Sequence, residues 1–151
     1  MNKLAGFLLI LSTLLVSSSA YANRYIVNTK TCDMQDANTD DSVLLTLLYS
    51  GSPGRVTGTL DDAGRNDFER GQLEAFRFDT PTAGDIVSAE VALVGNNGWC
   101  FESISISDTN RGKVWTFFYN NWLDGNDPQF PSQVSCTLTS PGSVSGNCHR
   151  P

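Results

Sequence analysis

The sequence contains one histidine, His149, in 151 residues. That scarcity excludes every site built on two or more imidazoles, including HExxH zinc sites, three-His centres and paired-His iron sites. There is no C-x-x-C pair, no G-x-S-x-G, no phosphate-binding loop and no G-x-G-x-x-G. Basic side chains are the minority, 10 Lys+Arg against 16 Asp+Glu for a formal net charge of −6. A general nucleic-acid binder needs a basic face, so that class is excluded. Past Val16 no apolar run approaches the 18 residues or so of a membrane-crossing helix. No segment sustains a 3.6-residue apolar period, and no internal repeat is visible, so neither a helical bundle nor a solenoid is expected. What remains is a small acidic protein better suited to binding than to catalysis.

The one long apolar stretch is at the start. Lys3 precedes Leu4–Val16, and Ser17–Ala22 ends in Ala20-Tyr21-Ala22, an A-x-A cleavage signature. Thirteen residues are too few to cross about 30 Å of hydrocarbon. Residues 1–22 are therefore read as a signal peptide cut after Ala22, which predicts a secreted or periplasmic protein. Removing them takes away one lysine and no acid, leaving 9 basic and 16 acidic side chains and a net charge of −7. The remainder is one domain with a modest core, expected to be a monomer.

That remainder reads as strands. Arg24–Thr29 alternates and is rich in β-branched residues, and Ser42–Ser50 is apolar on both faces for part of its length. Arg55–Leu60, Leu73–Thr80, Ile86–Val94, Trp99–Ser107 and Lys113–Tyr119 follow, separated by Gly, Asn, Asp and Pro turns, with Gln133–Leu138 as a last short strand. Val87, Ala89, Val91 and Leu93 are expected on one face of their strand. About eight short strands at this spacing predict an all-β antiparallel sandwich. The domain is placed at residues 23–135, with 136–151 as a Ser/Gly/Pro-rich tail in which His149 is solvated.

Export favours disulfides over a zinc site for Cys32, Cys100, Cys136 and Cys148. Three pairings are possible. Cys136 and Cys148 bracket a Ser/Gly segment with no core of its own, so a local clip between them is expected, leaving Cys32 with Cys100.

Two loops concentrate the acid. Eight of the 16 carboxylates fall within Asp33–Asp41 and Asp61–Glu69. Asp and Asn oxygens on flexible backbone are what Ca²⁺ takes, and a cation relieves the mutual repulsion of like charges. A solvated acidic rim accounts for the same composition, and both readings stand. Trp115 and Trp99 fit strand cores. Trp122, next to Leu123 in Asn120–Gly125, is either a bilayer-interface side chain or a plug closing one end of the sandwich.

Taken in order, Tyr25-Ile-Val-Asn-Thr29, Ala37-Asn-Thr-Asp-Asp-Ser-Val-Leu-Leu-Thr-Leu-Leu-Tyr-Ser-Gly51, Asn66-Asp-Phe-Glu-Arg-Gly-Gln-Leu-Glu-Ala-Phe76 and Phe117-Phe-Tyr-Asn-Asn-Trp-Leu123 resemble the PLAT/LH2 domain. That domain is found in lipoxygenases, pancreatic-type lipases and clostridial alpha-toxin. The resemblance covers residues 24–125. It implies a C2-like sandwich of two four-stranded antiparallel sheets with Ca²⁺ held in loops at one end. Carried over by position, the metal residues are Asp40, Asp41, Asn66, Asp67 and Glu69, and the membrane-contacting residues are Trp122 and Leu123. Three departures stand out. Asn38 replaces the family's glycine, Glu74 replaces its Asp, and the Gly95–Gly98 turn lacks an acid often found there.

The resulting expectation is a non-enzymatic, secreted, calcium-assisted module that binds a lipid or membrane surface. The alternative is a protein-recognition module that docks an exported enzyme or a host protein through a sheet face. A weaker third reading is a small enzyme acting through the loop carboxylates.

Overall fold

The computed structural model describes residues 23–51, 54–81 and 84–151. The signal-peptide reading lies outside the described residues. Nine strands run in chain order: β1 (Asn23–Thr31), β2 (Ser42–Tyr49), β3 (Arg55–Leu60), β4 (Leu73–Thr80), β5 (Ile86–Val94), β6 (Trp99–Asp108), β7 (Lys113–Leu123), β8 (Gln133–Leu138) and β9 (Ser145–His149). Alternation drives them. In β1, β4 and β5 nearly every second side chain is buried, as a strand with one covered face requires.

Two four-stranded antiparallel layers form, β3-β2-β5-β8 and β7-β6-β1-β4. Their inner faces enclose a core that includes Trp99, Trp115, Tyr25, Phe101 and Phe117, all essentially inaccessible to water. Each such side chain contributes roughly 1.5–3 kcal/mol by leaving water. The sandwich expectation therefore holds, with one addition: β9 bonds antiparallel to β8 and parallel to β7. It joins the two layers into one nine-stranded sheet. The edge strands β3 and β4 approach each other, so that sheet nearly closes.

This corrects the boundary at 135/136, which falls inside β8. Residues 145–149 lie within the sheet, and His149 is an ordered, exposed strand residue opposite Ser135. The segment has no apolar pattern because its main-chain pairing and its disulfide place it. A Cβ on Gly146 would lie 2.0 Å from the Thr137 carbonyl oxygen, so only glycine fits there. Cys136 is joined to Cys148, and Cys32 to Cys100.

Two bulges also shift what alternation predicts. In β5 the register steps from Ser88 to Ile86 opposite Leu48 and Tyr49. Val87 becomes the extra residue and is turned out to solvent, while Ile86 is buried in its place. In β7 the register shifts between Phe101 and Ser103 of β6, and Asn120 takes a left-handed φ of 51°. Asn tolerates that conformation better than most residues. The strand then runs on to Leu123.

The pole with the β4–β5 and β6–β7 connections is held by a buried carboxylate. Asp108 accepts hydrogen bonds from Asn23 Nδ2 (3.2 Å), the Asn110 and Arg111 main-chain N–H groups (3.0 Å each) and Arg111 Nε (2.7 Å). Burial disfavours its charge, but these donors outweigh burial and hold its pKa below the usual carboxylate range. A lowered folded-state pKa gives stability that is present above the ordinary carboxylate pKa and lost as pH falls through the lowered value. Asp108→Asn should cost about 3 kcal/mol at neutral pH. Urea melts should show wild type and variant converging on acidification. Parallel pH profiles would show that this carboxylate carries no proton-linked stability.

Candidate functional site

The opposite pole gathers four loops, because β1, β3, β5 and β7 end where β2, β4, β6 and β8 begin. Register partners Lys30↔Leu73, Val43↔Leu60, Ser42↔Val94, Trp99↔Leu123 and Ala92↔Gln133 lie at this rim. The loops are cross-tied. Cys32 N–H bonds the Cys100 carbonyl, Gly71 N–H bonds that of Cys32, and Cys100 N–H bonds that of Ala37. The Cys32–Cys100 disulfide, Ala37 and Trp122 form a second, smaller apolar cluster here. Asn126 Nδ2 donates to the Asn96 carbonyl at 2.7 Å.

Ten of the sixteen carboxylates sit in these loops, against only two basic side chains, Arg65 and Arg70. The protein is thus electrically polarised, and this end repels anions unless a cation intervenes.

A cleft of about 580 Å³ opens between the β1–β2 and β3–β4 loops, lined by Thr39–Ser42, Thr59–Asp61 and Arg65–Phe68. Four of the expected metal residues, Asp40, Asp41, Asn66 and Asp67, line it. Glu69 does not; it accepts a hydrogen bond from Asn66 Nδ2. Asp61 lines it too, at the exit of β3. It belongs to the acidic run read in the sequence but is not among the positions carried over. Asp40 and Asp61 have no ion-pair partner among the described residues. Asp41 Oδ2 accepts from Asn97 N–H at 2.5 Å, and its carboxylate occupies the space a Cβ on Gly95 would take. Asp41 thereby clamps the short turn that carries no acid of its own.

The Asp67 side is arranged differently. Asp67 is nearly buried, and both oxygens are engaged: Oδ1 with Arg65 Nε at 2.7 Å and Oδ2 with Asp62 N–H at 2.7 Å. Glu74, also nearly buried, accepts from Phe68 N–H at 2.5 Å. Burial raises the Glu74 pKa, partly offset by that hydrogen bond and by Arg65. Phe68 adopts φ 61° and packs its ring 5.1 Å from Phe76 and 4.9 Å from Trp99.

Among the described residues, no three carboxylate, imidazole or thiolate groups converge as a preformed metal cage. Donor chemistry distinguishes the two sides. Asp40, Asp41 and Asp61 offer hard oxygens with no guanidinium or ammonium paired to them, which suits Ca²⁺. Asp67 is already paired with Arg65, and Asn66 and Glu69 are hydrogen-bonded to each other.

Trp122 and Leu123 are not at a loop tip. Leu123 is fully buried opposite Trp99, because β7 continues through its bulge and the pleat turns Leu123 inward. Trp122, opposite Cys100, is half-buried on the outer face, with its ring 6.4 Å from that of Phe130. The exposed large apolar side chains at this pole are Met34 (46%), Leu73 (67%) and Val94 (55%). They are single apolar residues beside loops, a signal that alternation alone does not separate from core.

The PLAT/LH2 domain family model matches residues 25–134. The mouse lipoxygenase homology domain-containing protein 1 is 31% identical over 123 residues, 74% of this chain and 6% of that protein. Coral 8R-lipoxygenase, whose structure is described in terms of calcium activation through a C2-like domain, superposes with a TM-score of 0.63 at 24% identity. The match covers 74% of this chain and 16% of the lipoxygenase. Alpha-toxin from Clostridium absonum superposes with a TM-score of 0.58 at 24% identity, over 70% of this chain and 30% of the toxin. The chain thus spans a small fraction of the length of each relative.

Proposed function

Because the chain belongs to the PLAT/LH2 domain family, we propose that it is a calcium-assisted module that binds a lipid or membrane surface with its acidic pole, and that it acts after export. The observation that carries this reading is the cleft side formed by Asp40, Asp41 and Asp61, at the same pole as exposed Met34, Leu73 and Val94. The pole thus offers both unpaired carboxylates and exposed apolar side chains. A bound divalent cation supplies positive charge at a pole that otherwise repels anionic headgroups. Met34, Leu73 and Val94 then enter the interface, the role that sequence reasoning assigned to Trp122 and Leu123. The calcium activation described for the coral lipoxygenase supports the same reading. Binding through chemistry at the loop carboxylates is not required, and the module is proposed to be non-catalytic.

The test is co-sedimentation with phosphatidylcholine–phosphatidylserine vesicles in Ca²⁺ and in chelator. Pelleting is expected only with Ca²⁺, half-maximal at roughly 10⁻⁴–10⁻³ M, the range of extracellular sites. Asp40→Asn combined with Asp61→Asn should abolish it, and Met34→Ser with Leu73→Ser should weaken it about tenfold through lost apolar burial. Equal pelleting with and without Ca²⁺, or none in either, rejects the proposal.

A second reading has its own observation. Val114 and Phe118 of β7 are each 45% exposed, and Val144, which precedes β9, is 46% exposed. Val144 lies beside β7, its carbonyl accepting from Thr116 N–H at 2.9 Å, so the three sit away from the acidic pole, where a protein partner would dock on a sheet face. Loss of partner capture in Phe118→Ser, with vesicle binding intact, would favour this reading.

A further inference from the structure

Of the two guanidinium groups at the acidic pole, Arg70 pairs with the exposed Asp33, whereas Arg65 faces carboxylates near the core. The Arg65 guanidinium lies 2.7 Å from Asp67 Oδ1, 3.1 Å from Asp62 Oδ2 and 4.0 Å from Glu74 Oε1. Its Cζ is 5.4 Å from the centroid of the Phe76 ring. Three carboxylates and an aromatic face therefore converge on one side chain, in the arrangement a delocalised, planar cation satisfies and a compact ion does not. Two of the three carboxylates, Asp67 and Glu74, are nearly buried, so their charge needs a partner.

We propose that Arg65 is the built-in counter-cation of the 61–72 loop, ordering it without metal and keeping Asp67 from serving as a metal ligand. The chain of contacts shows how the order spreads. Arg65 holds Asp67, and Asp67 caps Asp62 N–H. Glu74 caps Phe68 N–H, and Phe68 keys the loop into Phe76 and Trp99. Each link would fail in turn if Asp67 lost its neutralising partner, because two like charges would then face each other near the core. The NDFERG block that resembles a metal loop in sequence is then an anchor, and Arg65, immediately before it, is the residue that makes it so. This proposal concerns how the loop is ordered and which carboxylates take metal, so its test contains no lipid. Its failure and the failure of the lipid-binding reading are therefore distinguishable.

Amide hydrogen exchange at Asp62 and Phe68 is the direct measurement. In chelator, wild type should protect both amides as well as it does in Ca²⁺. Arg65→Gln in chelator should exchange them faster by about tenfold or more, since local opening is no longer opposed by the guanidinium. Arg65→Lys, which keeps the charge but loses the planar fork, should fall between. Calorimetric titration with Ca²⁺ supplies a readout that a merely structural residue would not move. Asp67→Asn should take up as many ions as wild type, whereas Asp61→Asn should take up fewer. Loss of Asp62 and Phe68 protection when wild type is moved to chelator would overturn the proposal. So would wild-type protection in Arg65→Gln, or an ion lost in Asp67→Asn. If Arg65→Gln does not fold, the wild-type exchange and the Asp67→Asn titration still decide the matter.

Discussion

Replacing Cys32 and Cys100 together with serine is expected to lower stability by about 4 kcal/mol, the chain-entropy value for a bridge closing a loop of this length. The two cysteines are 68 residues apart, so the reduced unfolded chain regains a large set of conformations. The effect should reach the candidate site as well. The disulfide sits with Ala37 and Trp122 in the small apolar cluster under the β1–β2 loop. That loop carries Asp40 and Asp41, and its other anchors are main-chain hydrogen bonds, the Thr39 hydroxyl bonded to the Asn97 carbonyl at 3.0 Å, the Asp41 carboxylate on Asn97 N–H and the exposed Arg70–Asp33 pair. Ca²⁺ affinity should therefore fall along with stability. Urea melts of the double variant, with a Ca²⁺ titration at a temperature where it remains folded, check both parts. A stability loss below about 1 kcal/mol would mean that the unfolded chain is already compact around this pair.

Truncation after Leu138 is expected to be more damaging still, leaving little or no folded protein at 37 °C. It removes β9, which has three register partners on β7 and four on β8. It also removes the Cys136–Cys148 bridge, whose 12-residue separation corresponds to about 3 kcal/mol. Two sheet edges would then open over Phe117, Val134 and Cys136, all fully buried in the intact protein. Against a typical domain stability of about 5–15 kcal/mol, these losses are a large share. Gly146→Val is the gentler test. Its side chain would collide with the Thr137 carbonyl while every other atom of β9 remains. Thermal melts should place it clearly below wild type, with the bridge still closed. A Gly146→Val melt superposing on wild type would mean that β9 does not need its close approach to β8.

The parts of this protein that were legible in sequence are those ruled by local periodicity. Strands β1 to β6 and β8 come from alternation and β-branched composition, with turns marked by Gly, Asn and Pro. The position of the acid in two loops followed from strand placement alone, and the resemblance to the PLAT/LH2 family gave the sandwich its layers. The misses share a cause. Val87 faces solvent because of a bulge, and Leu123 is buried because β7 runs through another. A bulge adds one residue on one strand only, and its effect on facing is invisible without the partner strand. β9 is Ser-Gly-Asn-Cys-His, which carries no periodic signal, since the edges of β7 and β8 supply its hydrogen bonds.

The acidic pole shows the same division. Sequence alone determined that carboxylates crowd two loops and that the balance of charge is negative. Tertiary structure decided which of those charges are already answered. Arg65 neutralises Asp67 inside the 61–72 loop, whereas Asp61, at the exit of β3, lines the same cleft as Asp40 and Asp41, about twenty residues away in sequence. Charge composition is additive along the chain, but neutralisation depends on distances of a few ångströms, and only the folded backbone sets those.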